Sequence, residues 1–388
     1  MFQFIIVLII CILAGVEVDL FIPSFPEMRQ VFHLSPFQVQ LTLSVNFLAF
    51  CICSLFAGTL GDRFNRRTII LGGLILFVLG SLLCVSAVNI DMLILGRFFQ
   101  GTGIAGPAVL GYAVIADTYP IEKQASMLGI LNGIITIAMA FAPTIGSYVN
   151  LYFGWHGNFV LLLSLGIICL ITSAIGLPSR KGDPSIRLSP KSYWPLLCSR
   201  KLMTFIACIC FAITPYWVFV GMSSILYMES LGVSLKQFGF YQGAIAAVFS
   251  ILSLLSPKIL AAFGQRRCLY TGIILTGVAI IFILLIALFQ VHNPLIITGA
   301  MLILAAGILF PINISFPLAV DVIENAKGRS TALIQAGRLL LSSLCLQLVS
   351  YFYHGTFLPI GLVMTIFLSL SLILITVLIR KQWLTLHS

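Results

Sequence analysis

Residues 58–67, Gly-Thr-Leu-Gly-Asp-Arg-Phe-Asn-Arg-Arg, form a charged knot between two long apolar stretches. One Asp and three Arg cannot lie in hydrocarbon, so the knot must be a tight aqueous loop joining two membrane-spanning helices. Asn65 sits where the chain must turn sharply, and Asn tolerates a left-handed backbone. The rest of the chain has the same texture. It has 388 residues, 60% hydrophobic and only 8% charged, with a mean hydropathy of +1.13. A soluble chain carries about 25% charged residues, so this one cannot cover a water-facing surface.

A span needs about 20 apolar residues. The runs predict an all-α integral membrane protein of about twelve transmembrane helices, centred near residues 13, 49, 78, 105, 136, 168, 211, 249, 279, 307, 341 and 368. The first run is too long for a signal core, lacks a basic start and has no small-x-small cleavage site, so it reads as a span. Basic residues collect in alternate loops: Arg63, Arg66 and Arg67; Lys123; Arg180, Lys181, Arg187, Lys191, Arg200 and Lys201; Lys258, Arg266 and Arg267; Lys327 and Arg329; Arg380 and Lys381. The other loops hold little beyond Arg29 and Lys236. The positive-inside rule therefore places both termini and the central linker in the cytoplasm. The net charge of +10 reflects this topology and not a nucleic-acid partner. Nine of the ten Cys lie in or beside apolar runs, and Cys198 lies in the linker, so no disulfide framework is expected.

The halves repeat. At an offset of 204 (307 minus 103), Gly103, Pro107, Asp117, Lys123 and Gly133 fall on Gly307, Pro311, Asp321, Lys327 and Gly337. Around the charged knot, Leu60, Arg66 and Arg67 meet Leu260, Arg266 and Arg267 at an offset of 200, which sets Ala262 opposite Asp62. This duplication predicts two pseudo-symmetric six-helix bundles, residues 1–178 and 201–388, joined by a linker over 179–200. In that plan the substrate site lies at the repeat interface near mid-membrane. Tyr193 and Trp194 beside Lys191 suggest a linker stretch at the membrane surface.

Four segments carry a family likeness. The knot resembles the loop signature of the major facilitator superfamily through Gly58, Leu60, Asp62, Arg63, Arg66 and Arg67, with Asn65 replacing the usual Gly. Residues 93–103 resemble its fourth-helix motif, with Arg97, Gln100, Gly101 and Gly103 in register. A degenerate form of the antiporter motif follows at Ala138, Ala142, Pro143, Gly146 and Ser147. The run from Asp19 through Pro23 to Pro26 is similar to the drug:proton antiporter branch of twelve spans, especially its Bcr/CflA members. Some relatives carry a further acid two turns earlier in helix one, where this chain has Cys11.

The resemblance implies a multidrug exporter of the bacterial inner membrane, driven by the proton gradient, without cofactor, and acting as a monomer in the bilayer. An acid inside a span costs roughly 2.5–3.5 kcal/mol if charged at its centre, so such residues are kept for a task. Asp19, Glu17 and Arg97 lie at matching depth and are the candidates for proton coupling, with Arg97 pairing either acid. Glu17 and Asp19, two residues apart, face directions about 200° apart. The likeness assigns Asp62, Arg63, Arg67 and Asp117 to a cytoplasmic gate. Arg338, deep in helix eleven, suits an anionic cargo. Asn46, Tyr112, Asn132, Tyr216, Trp217, Tyr241, Gln242, Asn313 and Gln335 are candidates for a substrate cavity. Pro107, Pro143, Pro215, Pro311 and Pro317 are candidates for helix kinks.

Five dispersed His build no metal pattern, and no phosphate-cradling Gly-x-x-x-x-Gly-Lys-Ser/Thr is present. An enzyme is disfavoured on these grounds. A channel would leave the repeat unexplained. The open alternatives are a proton-coupled importer and a dedicated exporter of one metabolite, such as a siderophore.

Overall fold

Twelve long helices account for almost all of the computed structural model, which describes residues 2–179, 182–183, 185, 190–323 and 326–384. Arg180, Lys181 and Arg187 lie outside the described residues. Chain connectivity gives α1 Phe2–Phe21, α2 Pro36–Phe64, α3 Arg66–Val85 and α4 Ile90–Thr118. The next helix, Ile121–Gly176, has 56 residues and would be about 84 Å long if straight, far more than one crossing. It breaks at Gly154 (φ 66°, ψ −175°), a backbone state that glycine adopts without a Cβ penalty. We therefore divide it into α5 (121–153) and α6 (155–176). Asn158 Nδ2 donates to the Gly146 carbonyl at 3.1 Å across a separation of 12 residues. A continuous helix would hold those residues about 18 Å apart, so the chain doubles back at Gly154.

The second half continues with α7 Arg200–Ser224, α8 Leu235–Phe263, α9 Gln265–Leu288, α10 Pro294–Val320, α11 Lys327–Tyr351 and α12 Leu358–Arg380. Among the described residues, eleven helical stretches are long and apolar enough to cross a membrane, and one of them, Ser126–Gly176, holds α6 and all but the first five residues of α5. Helix is the form that satisfies every backbone polar group inside hydrocarbon. All five prolines named above lie within helices, as does Pro257. None of the ten cysteines, all among the described residues, is in a disulfide.

Contacts divide the chain into compact units at residues 1–189 and 190–388. Three helix junctions recur in both. Ser35 and Gln38 form a capping box at the start of α2, and Ser234 and Gln237 form one at the start of α8. Asn65 (φ 135°) joins α2 to α3, and Gly264 (φ 78°) joins α8 to α9. These pairs share an offset of 199, not 200. The true register sets Gly264 opposite Asn65 and Ala261 opposite Asp62, so the Arg-Arg alignment slips by one residue. Asn89 and Asn293, which cap α4 and α10, keep the offset of 204.

Packing repeats as well. A Cβ on Gly73 of α3 would stand 2.5 Å from the Gly103 carbonyl and 2.8 Å from Pro107 Cδ of α4. A Cβ on Gly272 of α9 would stand 2.8 Å from the Gly307 carbonyl and 2.5 Å from Pro311 Cδ of α10. In both units, backbone meets backbone where small residues allow it.

Candidate functional site

The first unit buries an ion pair. Glu17 of α1 and Arg97 of α4 are 2% and 0% exposed, and Glu17 Oε1 lies 3.1 Å from Arg97 Nη1. Neither charge could remain in the interior without a partner. Four helices assemble the surroundings. Asn46 of α2 donates from Nδ2 to Glu17 Oε1 at 2.7 Å and to the Arg97 carbonyl at 3.2 Å. Gln100 of α4 accepts from Arg97 Nη1 at 2.6 Å and donates to Ser81 Oγ of α3 at 2.8 Å. The guanidinium lies 4.0 Å from the centre of the Phe21 ring, a cation–π contact strengthened by desolvation.

The close fit of α4 to α2 has a local cause. A Cβ on Gly101 would collide with the Asn46 backbone carbonyl. Gly101 therefore lets α4 approach until Asn46 can reach both Glu17 and the Arg97 backbone. Asp19 is buried, 6% exposed, with no ion pair among the described residues. Of the two candidate acids, the structure pairs Glu17 with Arg97. Asn46 belongs to this ion-pair network. Gln100 and Ser81, absent from the set of expected site residues, complete it.

A second cluster occupies the end of the unit near the Asn65 turn. Arg66 Nη2 lies 3.2 Å from Asp62 Oδ1, and its Nη1 pairs with Asp117 Oδ2 and donates to the Ala113 carbonyl at 2.6 Å. Arg66, outside the expected gate set of Asp62, Arg63, Arg67 and Asp117, thus links the two acids. Arg67 Nη2 instead donates to the Ala174 carbonyl at 2.5 Å, and the Arg63 guanidinium lies 5.2 Å from the Phe64 ring centre. The Asp183 N–H donates to the Asp62 carbonyl at 2.9 Å, bringing the start of the linker onto this turn. Ser185, through its hydroxyl and its N–H, holds the exposed Asp183 carboxyl below the ordinary range. A cavity of about 200 Å³ lies among Asp62, Arg66, Arg67, Asp117 and Asp183. In the second unit, Asp321 and Lys327 are 2.6 Å apart at the positions that match Asp117 and Lys123.

The remaining candidates are dispersed. Tyr112 donates to Asn132 Oδ1 at 2.9 Å, and both side chains are exposed. Tyr216 stacks on Phe249 with centroids 5.5 Å apart and meets Trp217 edge-on at 5.9 Å. Tyr241 lies 5.5 Å from Tyr227, whose hydroxyl shares a 2.7 Å hydrogen bond with Thr298. Asn313 donates to Ser256 Oγ at 3.1 Å. Gln242 is 3% exposed, and its Nε2 has no partner among the described residues. Gln335 and Arg338 are half-buried on α11. No group of three His, Cys, Asp or Glu able to hold a metal occurs among the described residues.

The sequence model described as Major Facilitator Superfamily matches residues 7–346. Curated relatives include multidrug resistance protein MdtL of Citrobacter koseri, 26% identical over 256 residues covering 66% of each chain. The MdtL of Salmonella typhi is 28% identical over 268 residues, 67% of each chain. The matched segment thus spans about two thirds of these relatives. Among solved structures, a bacterial homologue of the human lysosomal transporter Spinster, inward-facing and occupied, aligns with a TM-score of 0.76 at 16% identity, covering 97% of this chain and 96% of that one. A D-xylose-proton symporter aligns with a TM-score of 0.73 at 12% identity, covering 95% and 96%. At such identities the structural likeness shows the fold.

Proposed function

Because the chain belongs to the major facilitator superfamily of membrane transporters, we propose that it is a secondary active exporter of small amphipathic compounds, exchanging them for protons by alternating access. The buried Glu17–Arg97 pair carries this reading, with Asp19 two residues along the same helix. A carboxylate held by a guanidinium inside a span has two possible countercharges, the arginine or a proton. Protonation of Glu17 releases Arg97 from the ion pair, while Gln100 and the Phe21 ring continue to hold the guanidinium. Asp19 supplies a second buried proton site. Substrate and proton then compete for one state of the transporter. The relatives named for multidrug resistance support the exporter direction.

The proposed setting is the bacterial inner membrane, with both termini in the cytoplasm and the protein acting as a monomer. No cofactor is invoked, since the proton gradient supplies the energy. Asp62, Arg66 and Asp117 form the proposed cytoplasmic gate, with Arg63 and Arg67 flanking it. Arg338 favours a second reading, a proton-coupled importer or a dedicated exporter of one anionic metabolite, because a cation deep in a helix suits an anion.

Everted membrane vesicles with an imposed pH gradient test direction and coupling together. The parent protein is expected to accumulate amphipathic dyes only when the vesicle interior is acidic. Glu17→Gln and Asp19→Asn should each reduce that accumulation at least about tenfold, the scale expected when a positioned proton-transfer group is lost. Undiminished proton-driven accumulation in both variants would refute the coupling scheme.

A further inference from the structure

A short stretch of the second unit precedes the membrane helix α7 and has two unlike faces. Residues Pro190–Tyr193 form a 3₁₀ turn that leads into the helix Trp194–Cys198. On one face, Leu196 is 1% exposed and packs in a buried cluster with Leu202, Phe205 and Leu384, against which Tyr193 and Trp383 also lie. Arg329, in the first turn of α11, donates from Nη1 to the Ser192 carbonyl at 2.8 Å. The stretch is therefore held to the body of the unit at two independent points.

The other face is exposed among the described residues. Trp194 is 68% exposed and Leu197 45% exposed. Their spacing of three residues puts them side by side on the helix. Basic residues bracket this apolar pair in the chain. Lys191 and Arg200 are exposed, Lys201 is half-buried, and Arg380 and Lys381 are exposed at the end of α12. Leu196 and Leu384 share one cluster, which brings the linker and the chain end together. Residues 190–201 contain no acid, nor do residues 376–388.

We infer that this Trp194–Leu197 face, with Lys191 and Arg200, docks onto anionic phospholipid at the membrane surface. Position, apolar face and charge agree on that partner. The stretch ends where α7 enters the bilayer, so the face lies at headgroup level. Tryptophan partitions to that level, with its ring in the interface. Clustered Lys and Arg next to a span attract negative headgroups rather than zwitterionic ones. Water alone would leave an unshielded indole and leucine beside a run of cations, and the chain offers no acid in either segment to neutralise them.

Brominated lipids provide the test, with full-length protein in nanodiscs and Trp194→Phe giving the background from the other three tryptophans. The Trp194 emission is expected to be quenched at least about twice as strongly by brominated phosphatidylglycerol as by brominated phosphatidylcholine at equal content. In Lys191→Gln/Arg200→Gln the two lipids should quench alike. Equal quenching in the parent would overturn the anionic preference, and absence of quenching would overturn surface docking altogether. A preference surviving in the double variant would remove these two cations from the site. None of these readouts depends on transport, so they stand apart from the exporter reading.

Discussion

At the level of single residues, Arg97 has more partners than its one acid supplies. Its Nη1 is shared between the Glu17 carboxylate and the Gln100 amide oxygen, and the amide contact is the shorter. Removing one member of a buried pair leaves the other charge uncompensated, a cost of about 3–5 kcal/mol. Arg97→Met is expected to cost that much, because only Asn46 would then hold a charged Glu17. The double variant Glu17→Gln/Arg97→Met should lose less than the sum of its parts, as measured by thermal unfolding in detergent. An additive result would show that the pair is not coupled. The charges themselves were legible in the sequence, since an acid and an arginine inside apolar runs stand out. Their pairing was less so. These helices are apolar on nearly every face, so periodicity does not report the rotation of each helix about its axis. That rotation decides between Glu17 and Asp19, moves Asn46 into the ion-pair network, and makes Arg66 the link between Asp62 and Asp117.

At the level of helices, close approach is set by small residues. Gly101 meets the Asn46 backbone and Gly146 meets the Leu20 backbone, in each case with no space for a Cβ. Backbone contacts cannot be relieved by turning a side chain, so Gly101→Ala and Gly146→Ala are each expected to destabilise by about 1–3 kcal/mol. Gly72→Ala, with nothing within 4 Å of the added Cβ, should be neutral or slightly stabilising. Thermal melts of the three purified variants would check this; equal melting temperatures would show that the helices separate at no cost. The spans were readable from their apolar runs because length and hydropathy are enough to define a crossing. The repeat register was off by one in α2–α3 for a physical reason. Two adjacent arginines satisfy topology in either of two alignments, whereas a capping box satisfies its amides in only one.

For the whole chain, charge asymmetry between loops makes a specific statement about sidedness. A green fluorescent protein fused after Ser388 is expected to fluoresce, and alkaline phosphatase fused at the same point to remain inactive, as both require for a cytoplasmic end. The opposite pair of results would invert the topology and with it the assignment of the Asp62–Arg66–Asp117 cluster to the cytoplasmic side. The step from an offset of 199 at the Asn65 and Gly264 turns to 204 at the Asn89 and Asn293 caps has a location of its own. Helix α3 has 20 residues and α9 has 24, so the second copy is longer by roughly one helical turn between Gly272 and the end of α9, and by one residue in the hairpin beyond. The Gly272–Gly307–Pro311 contact is nonetheless the same as the Gly73–Gly103–Pro107 contact of the shorter copy. A hairpin whose length differs between the two copies while the packing below it does not is the natural place to graft an epitope or a fluorophore onto this transporter.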